Sequence, residues 1–143
     1  MAKFLRITTL WLWGGAIYTI IEVLWRGHTH WTMFVLGGVC FLSIGAINEF
    51  FSWNMPLVVQ GLIGAVQVTA LELCAGVILN LWLRLGIWDY SHIPFNLWGQ
   101  ICLPFTAVWF ALSVFAVVLD DWLRYWLFKE ERPHYTIFKI GGR

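Results

Sequence analysis

The chain has 143 residues, enough for one domain; 60% of them are apolar, 12% are charged, and the formal net charge is +1. A soluble domain carries about a quarter charged residues, and a domain this small has too little interior to hide so much apolar surface. Composition therefore excludes a water-soluble fold and points to an integral membrane protein, with the lipid bilayer as its first partner. The near-neutral charge and the lack of any block of like charges give no reason to expect nucleic acid.

A spanning helix needs about 20 mostly apolar residues, and four stretches qualify. They run over residues 4–25, 31–51, 57–85 and 97–128, with a tail over 129–143. The fold expected is thus all-α: a single polytopic transmembrane domain with short loops and an amphipathic extension, "DDWLRYWLF", that Pro133 brings to an end. The first run is as long as a bilayer span and lacks a small-residue cleavage site, so it reads as a helix and not as a removable leader. No strand-like alternation competes. The connections "RGHTH", "SWNMP" and "GIWDYSHIPFNLWGQ" leave no room for a linker between domains, and two crossings on each side of "WNMP" make only a weak two-by-two arrangement.

Lys and Arg set the orientation. Lys3, Arg6, Arg124, Lys129, Arg132, Lys139 and Arg143 flank one face; Arg26 and Arg84 flank the other. Both termini are therefore expected in the cytoplasm, in a bacterial inner membrane. Trp25, Trp31, Trp82, Trp88 and Trp98 would then form an outer aromatic belt, and Trp53, Trp122 and Trp126 an inner one.

Polar residues inside such spans are informative because the bilayer makes them costly. Glu72 falls near the middle of the third span, and an acid at that depth must be neutral or have a partner. Gly61, Ala65, Thr69, Glu72, Gly76, Asn80 and Arg84 follow at steps of three or four, one stripe of small and polar residues. In the first span Thr8, Trp11, Gly15, Tyr18, Glu22 and Arg26 share a face; Gln100, Thr106 and Ser113 lie in the fourth, with Pro104 expected to free backbone carbonyls. Bland readings stand beside these. Glu22 and Arg26 are one turn apart and could simply pair, and Glu72 could be a structural acid bonded to Asn80 or to an indole N–H. Glu49, Asp120 and Asp121 fall at the inner interface, where solvation is expected. Cys40, Cys74 and Cys102 read as inert buried thiols, with no zinc spacing. His28, His30, His92 and His134 lie in loops or the tail, which argues against a membrane haem. No cofactor or metal is expected.

The 86–100 segment concentrates polarity that the rest of the chain avoids. Pro94 stops the preceding helix, Asp89 and Ser91 are suited to a turn, and Asn96 to a helix cap. Trp88, Tyr90, Phe95 and Trp98 add ring surface. The segment is either a plug that dips toward the bilayer or an interfacial cap tethering two helices.

"IYTIIEVLWRG" together with "TALELCAGVILNLWLRLGIWDYSHIPFNLWGQICLPFTAVWFALS" resembles the bacterial integral membrane family named "Putative ABC-transporter type IV", across nearly all four spans. The pattern is carried by Glu22, Glu72, Gly76, Trp88, Asp89, Tyr90, Ser91, Pro94, Asn96, Gly99, Gln100 and Ile101, of which the WDYS run is the specific part. The resemblance implies transport. No GxxxxGK[ST] pattern is present, so a permease role calls for a separate ATPase subunit.

The function expected is a small transport or channel-like membrane protein that binds or passes a small polar or charged solute. Glu22 and Glu72 would line the cavity; Arg26, Arg84 and Asp89 would form its outer mouth; Asn80, Tyr90, Asn96 and Gln100 complete the candidate site. Four helices barely enclose a pathway, so a homodimer is expected. The first alternative is a non-transporting module that stabilises or recruits a membrane partner through its glycine faces and "DDWLRYWLFKEER". The second is a lipid-modifying enzyme, against which stands the lack of a nucleophile paired with a base and of a metal-ligand set.

Overall fold

A computed structural model describes residues 2–47 and 55–135. Within them the chain forms helices α1 (Ala2–Arg26), α2 (Trp31–Gly45), α3 (Leu57–Gly76) and α4 (Leu103–Phe128). Val77–Trp82 continues α3 as a π-helix, and two short antiparallel strands, β1 (Asn96–Leu97) and β2 (Ile101–Cys102), precede α4. By length and composition, Lys3–Arg26, Leu57–Trp82 and Leu103–Phe128 can each cross a membrane. The second helix spans 15 residues, about 22 Å at helical rise, short of the roughly 30 Å hydrocarbon core. Residues 48–51 of the span expected over 31–51, Glu49 among them, lie outside the described residues, as does Trp53.

The helices pack as two hairpins, α1 on α2 and α3 on α4, joined through α2. Glycine makes the first hairpin tight by accepting aromatic rings from the facing helix. A Cβ on Gly38 would lie 2.5 Å from Trp11, one on Gly37 2.5 Å from Tyr18, and one on Gly14 2.3 Å from Phe41. In the second hairpin Gly64 faces Ser113 and Gly61 faces Val114 and Phe110. Lipid tails offer no hydrophobic drive between helices, so close backbone approach and dispersion contacts must hold them. The core shared by the hairpins is Ile44, Ile47, Ala65, Val68, Trp109 and Val117.

Both ends of the described chain meet at one end of the bundle. The Arg6 guanidinium donates to Glu130 at 2.7 Å and lies over the Phe128 ring, while Leu10, Phe41 and Leu123 pack just inside. Asp120 and Asp121 belong to this region but are not solvated. Both are buried: Asp120 accepts from Arg124 Nε at 2.8 Å, and Asp121 accepts from the Tyr135 hydroxyl at 2.9 Å. The interface position suggests solvation; instead Asp120 packs against Gly45 and Tyr135 of the tail meets Asp121.

Other expectations change at the opposite end. The fourth helix begins at Leu103, not at residue 97, because residues 96–102 form the strand pair. Asn96 therefore caps no helix. Its amide donates to Ile93 O at 2.8 Å, and its Oδ1 accepts from the Gly99 amide at 3.0 Å, which stitches the segment to itself. Pro104 lies in the first turn of α4, where an amide would lack a helical partner anyway, so it frees no carbonyl. Trp88 leaves the aromatic belt for the interior, against Met33 and Ile87, while Trp25, Trp31, Trp82 and Trp98 stay exposed. Cys102 is buried, but Cys74 is exposed and Cys40 only partly covered.

Candidate functional site

Glu72 is 4% exposed, buried inside the bundle rather than turned outward. Two donors hold it. Tyr90 OH donates to Oε2 at 2.7 Å, and Trp109 Nε1 donates to Oε1 at 3.0 Å. Trp109 comes from α4 and lies between Thr106 and Ser113 at steps of three and four, on the face already marked by polar residues. Thr106 itself meets Thr69 at 3.0 Å, one turn of α3 from Glu72.

Tyr90 belongs to the WDYS run, and its reach defines what that run does. Ten residues of helix separate Glu72 from Trp82, on the order of 15 Å. A segment laid flat across the helix ends would leave the hydroxyl short; the chain instead folds back along the bundle. Phe105 stacks on the Tyr90 ring, with centroids 4.8 Å apart and planes 7° apart. Burial, reinforced by the Glu72 carboxyl alongside, pushes the phenol well above its ordinary range, so Tyr90 remains a hydroxyl donor.

The fold-back is fixed by a second network. Gln100 is buried, with Asn80 Nδ2 donating to its Oε1 at 2.8 Å and its own amide donating to Trp98 O at 3.0 Å. Trp88 Nε1 donates to Gln100 O at 3.0 Å, and Asn80 Oδ1 accepts the Ile87 amide at 2.7 Å. Gly76 gives Gln100 its place, since a Cβ there would lie 2.5 Å from Gln100 Oε1. Immediately after Gly76 the backbone widens into the π-helix that carries Asn80, a distortion often found at functional sites. Asp89 stays at the surface. Its Oδ1 accepts the Ser91 amide at 2.8 Å, which holds the carboxyl below the usual carboxylate range. Tyr90 N donates to Gly99 O at 2.7 Å, pairing the two limbs of the loop.

Backbone strain gathers here. Of seven described residues with positive φ, five lie between positions 84 and 99: Arg84, Gly86, Phe95, Trp98 and Gly99. Non-glycine residues in this region cost about 1–3 kcal/mol each and persist only where surrounding structure fixes them.

Glu22 and Arg26 form a latch from α1. Arg26 Nη2 donates to Glu22 at 3.0 Å, Thr29 Oγ1 also donates to Glu22, and Arg26 Nη1 reaches Ile87 O at 3.1 Å. The expected pairing one turn apart is present, and it extends to the loop after α3. The site residues anticipated from sequence thus divide into three. Glu72 and Tyr90 meet directly; Asn80 and Gln100 lock the segment above them; Glu22 and Arg26 tie α1 to the same loop. Arg84 and Asp89 do not join them. The π turn and the end of the helix at Leu83 break the 3.6-residue stripe before position 84, and Arg84 points outward. Trp109, Thr29 and Phe105 are the additions that sequence reasoning did not single out.

A cavity of about 170 Å³ opens beside Glu72, walled by side chains of all four helices. Its lining is almost wholly apolar; Glu72, Tyr18 and Ser113 supply the oxygen atoms.

These features define a class: an all-helical membrane protein with an acid held inside the bundle by a folded-back segment between its third and fourth helices. Residues 3–138 match the family described as "Putative ABC-transporter type IV", and the chain belongs to that family. No curated protein and no solved structure matches it.

Proposed function

We propose that the chain is a transport-type membrane subunit that holds a small polar or charged solute at Glu72, beneath a plug formed by the WDYS segment. It crosses the inner membrane four times with both termini in the cytoplasm, pairs with a second copy, and acts with a separate ATPase. The observation that carries this reading is the bond from Tyr90 to Glu72. A loop residue bonded to a buried acid gives a way for opening at the surface to expose a site at depth. Membrane ionisable residues mark solute or proton pathways by default. Family membership supports a transporter-type role. The Arg6–Glu130 pair, which brings the two ends of the described chain to one end of the bundle, supports an even number of crossings. Glu22 and Arg26 neutralise each other, and their tie to Ile87 O suits a latch on the plug better than a wall of the pathway.

A recruiting module has less support. The glycines it would present are filled by side chains of the same chain, and Asp120, Asp121 and Arg124 bond within it.

The test uses dicyclohexylcarbodiimide, an apolar reagent for carboxyl groups, on the protein in lipid nanodiscs. Glu72 should be modified slowly in the wild type, faster in Tyr90→Phe, and not in Glu72→Gln. If mass spectrometry finds Glu72 untouched in both the wild type and Tyr90→Phe, the acid is purely structural and the reading fails.

A further inference from the structure

We infer that the cavity beside Glu72 binds a small organic cation whose apolar body enters from the lipid side, between α1 and α4. This rests on Glu72 being the centre of a solute site and goes further by naming the class of solute and its door.

The door follows from packing. Each hairpin is tight, but the backbones of α1 and α4 seldom approach closely, and between them Tyr18 meets Trp109 through its ring. The cavity lies in that gap, floored by Cys40 and Val68 of α2 and α3. Its lips, Ile21 on α1 and Phe115 on α4, are 38% and 70% exposed. The bundle is tied at each end, by Arg6 to Glu130 at one and by Arg26 to Ile87 O at the other. What remains open faces sideways, where the surrounding medium is hydrocarbon.

The charge of the ligand follows from the wall. Among the described residues Glu72 is its one carboxylate, and no Lys, Arg or His lines it. An anion would meet the acid without a partner. A bare divalent cation demands several oxygen ligands, about six or more, which this wall does not offer. The carboxylate stands instead beside the rings of Tyr18 and Trp109, whose centroids are 6.2 Å apart, the surroundings that favour an ammonium group over water. A plain acyl chain would use the apolar wall and leave the acid's remaining acceptor capacity unused.

Size sets the scale. An apolar cavity of about 150 Å³ accommodates benzene, so 170 Å³ takes about one ring, with the mouth leaving space for more. Benzyltrimethylammonium is a fitting probe, and neopentylbenzene is its uncharged isostere.

The experiment uses the full chain in phosphatidylcholine nanodiscs. Equilibrium binding of labelled benzyltrimethylammonium is measured beside its protection of Glu72 from dicyclohexylcarbodiimide. Saturable binding, protection of Glu72, no protection by neopentylbenzene, and a loss of affinity of about tenfold or more in Glu72→Gln are expected. If Glu72→Gln fails to assemble, protection in the wild type decides alone. Equal protection by the neutral isostere would mean an apolar cleft without charge selection and overturns the proposal. So does a Glu72 that reacts but is protected by neither compound, the result expected if lipid fills the cleft or another solute owns the site; the Glu72 reading then still stands. A Glu72 that never reacts removes both.

Discussion

At the scale of single residues, two buried acids are satisfied in opposite ways. Asp120 faces a guanidinium one turn along its own helix, so its charge is met locally and its place is structural. Glu72 is held by a phenol and an indole, with no salt bridge to a cation among the described residues. Breaking that arrangement at one atom is informative. Tyr90→Phe keeps the stack on Phe105 and removes only the hydroxyl that donates to Glu72 Oε2. A buried acceptor left without its partner costs about 1–3 kcal/mol. The melting temperature of the variant in detergent should therefore fall. An unchanged melting temperature would show that another donor takes the place of Tyr90, and that the plug is not held through Glu72.

At the scale of elements, the third helix changes character at Gly76. Before it the chain is a regular α-helix whose small residues meet α4; after it the π turn and then the folded-back strands take over. The missing Cβ of Gly76 is what lets Gln100 settle between Asn80 and Trp88. Gly76→Leu should push Gln100 out and unlock the segment. Overpacking of this kind costs about 1–3 kcal/mol, readable as a lower melting temperature, together with faster proteolysis between residues 84 and 99. A Gly76→Leu protein as stable as wild type would place that face toward an open cavity or lipid, against the contact described. Gly99 contributes differently: at φ +71 it turns the loop in a conformation that side chains resist, with Asp89 Oδ1 close by.

At the scale of the whole molecule, orientation rests on the imbalance of Lys and Arg, seven against two across the two faces. His28 and His92 both lie beside the latch and plug, opposite the Arg6–Glu130 end. Single cysteines at 28 and 92, in a background with Cys40, Cys74 and Cys102 replaced by alanine, should react with a membrane-impermeant maleimide from outside intact cells. Reaction at both only after the inner face is exposed would invert the topology and put the plug in the cytoplasm.

The helical architecture was legible because it depends on quantities a linear chain displays: length of apolar run, spacing of small residues, and placement of charge. Helix α1, α3 with its continuation, and the end of α4 at Phe128 lie close to where those quantities put them. Glu72 was legible as well, since an acid amid apolar neighbours stands out wherever the helix lies. An indole N–H was one of the partners expected for Glu72, and Trp109 supplies it; which tryptophan, and the Tyr90 hydroxyl, were not legible. Tyr90 is 18 positions away and Trp109 is 37, and nothing in local periodicity says that a loop will fold back beside its own helix. Asp120 and Asp121 read as wet because an interface position alone cannot foresee that Arg124 and Gly45 close on the first and Tyr135 of the tail on the second. Arg84 read as part of the stripe because a uniform 3.6-residue period was assumed, and the π turn breaks it. Sequence determined which residues the membrane would force inward; tertiary structure decided which of them would meet, because those contacts depend on where distant segments close.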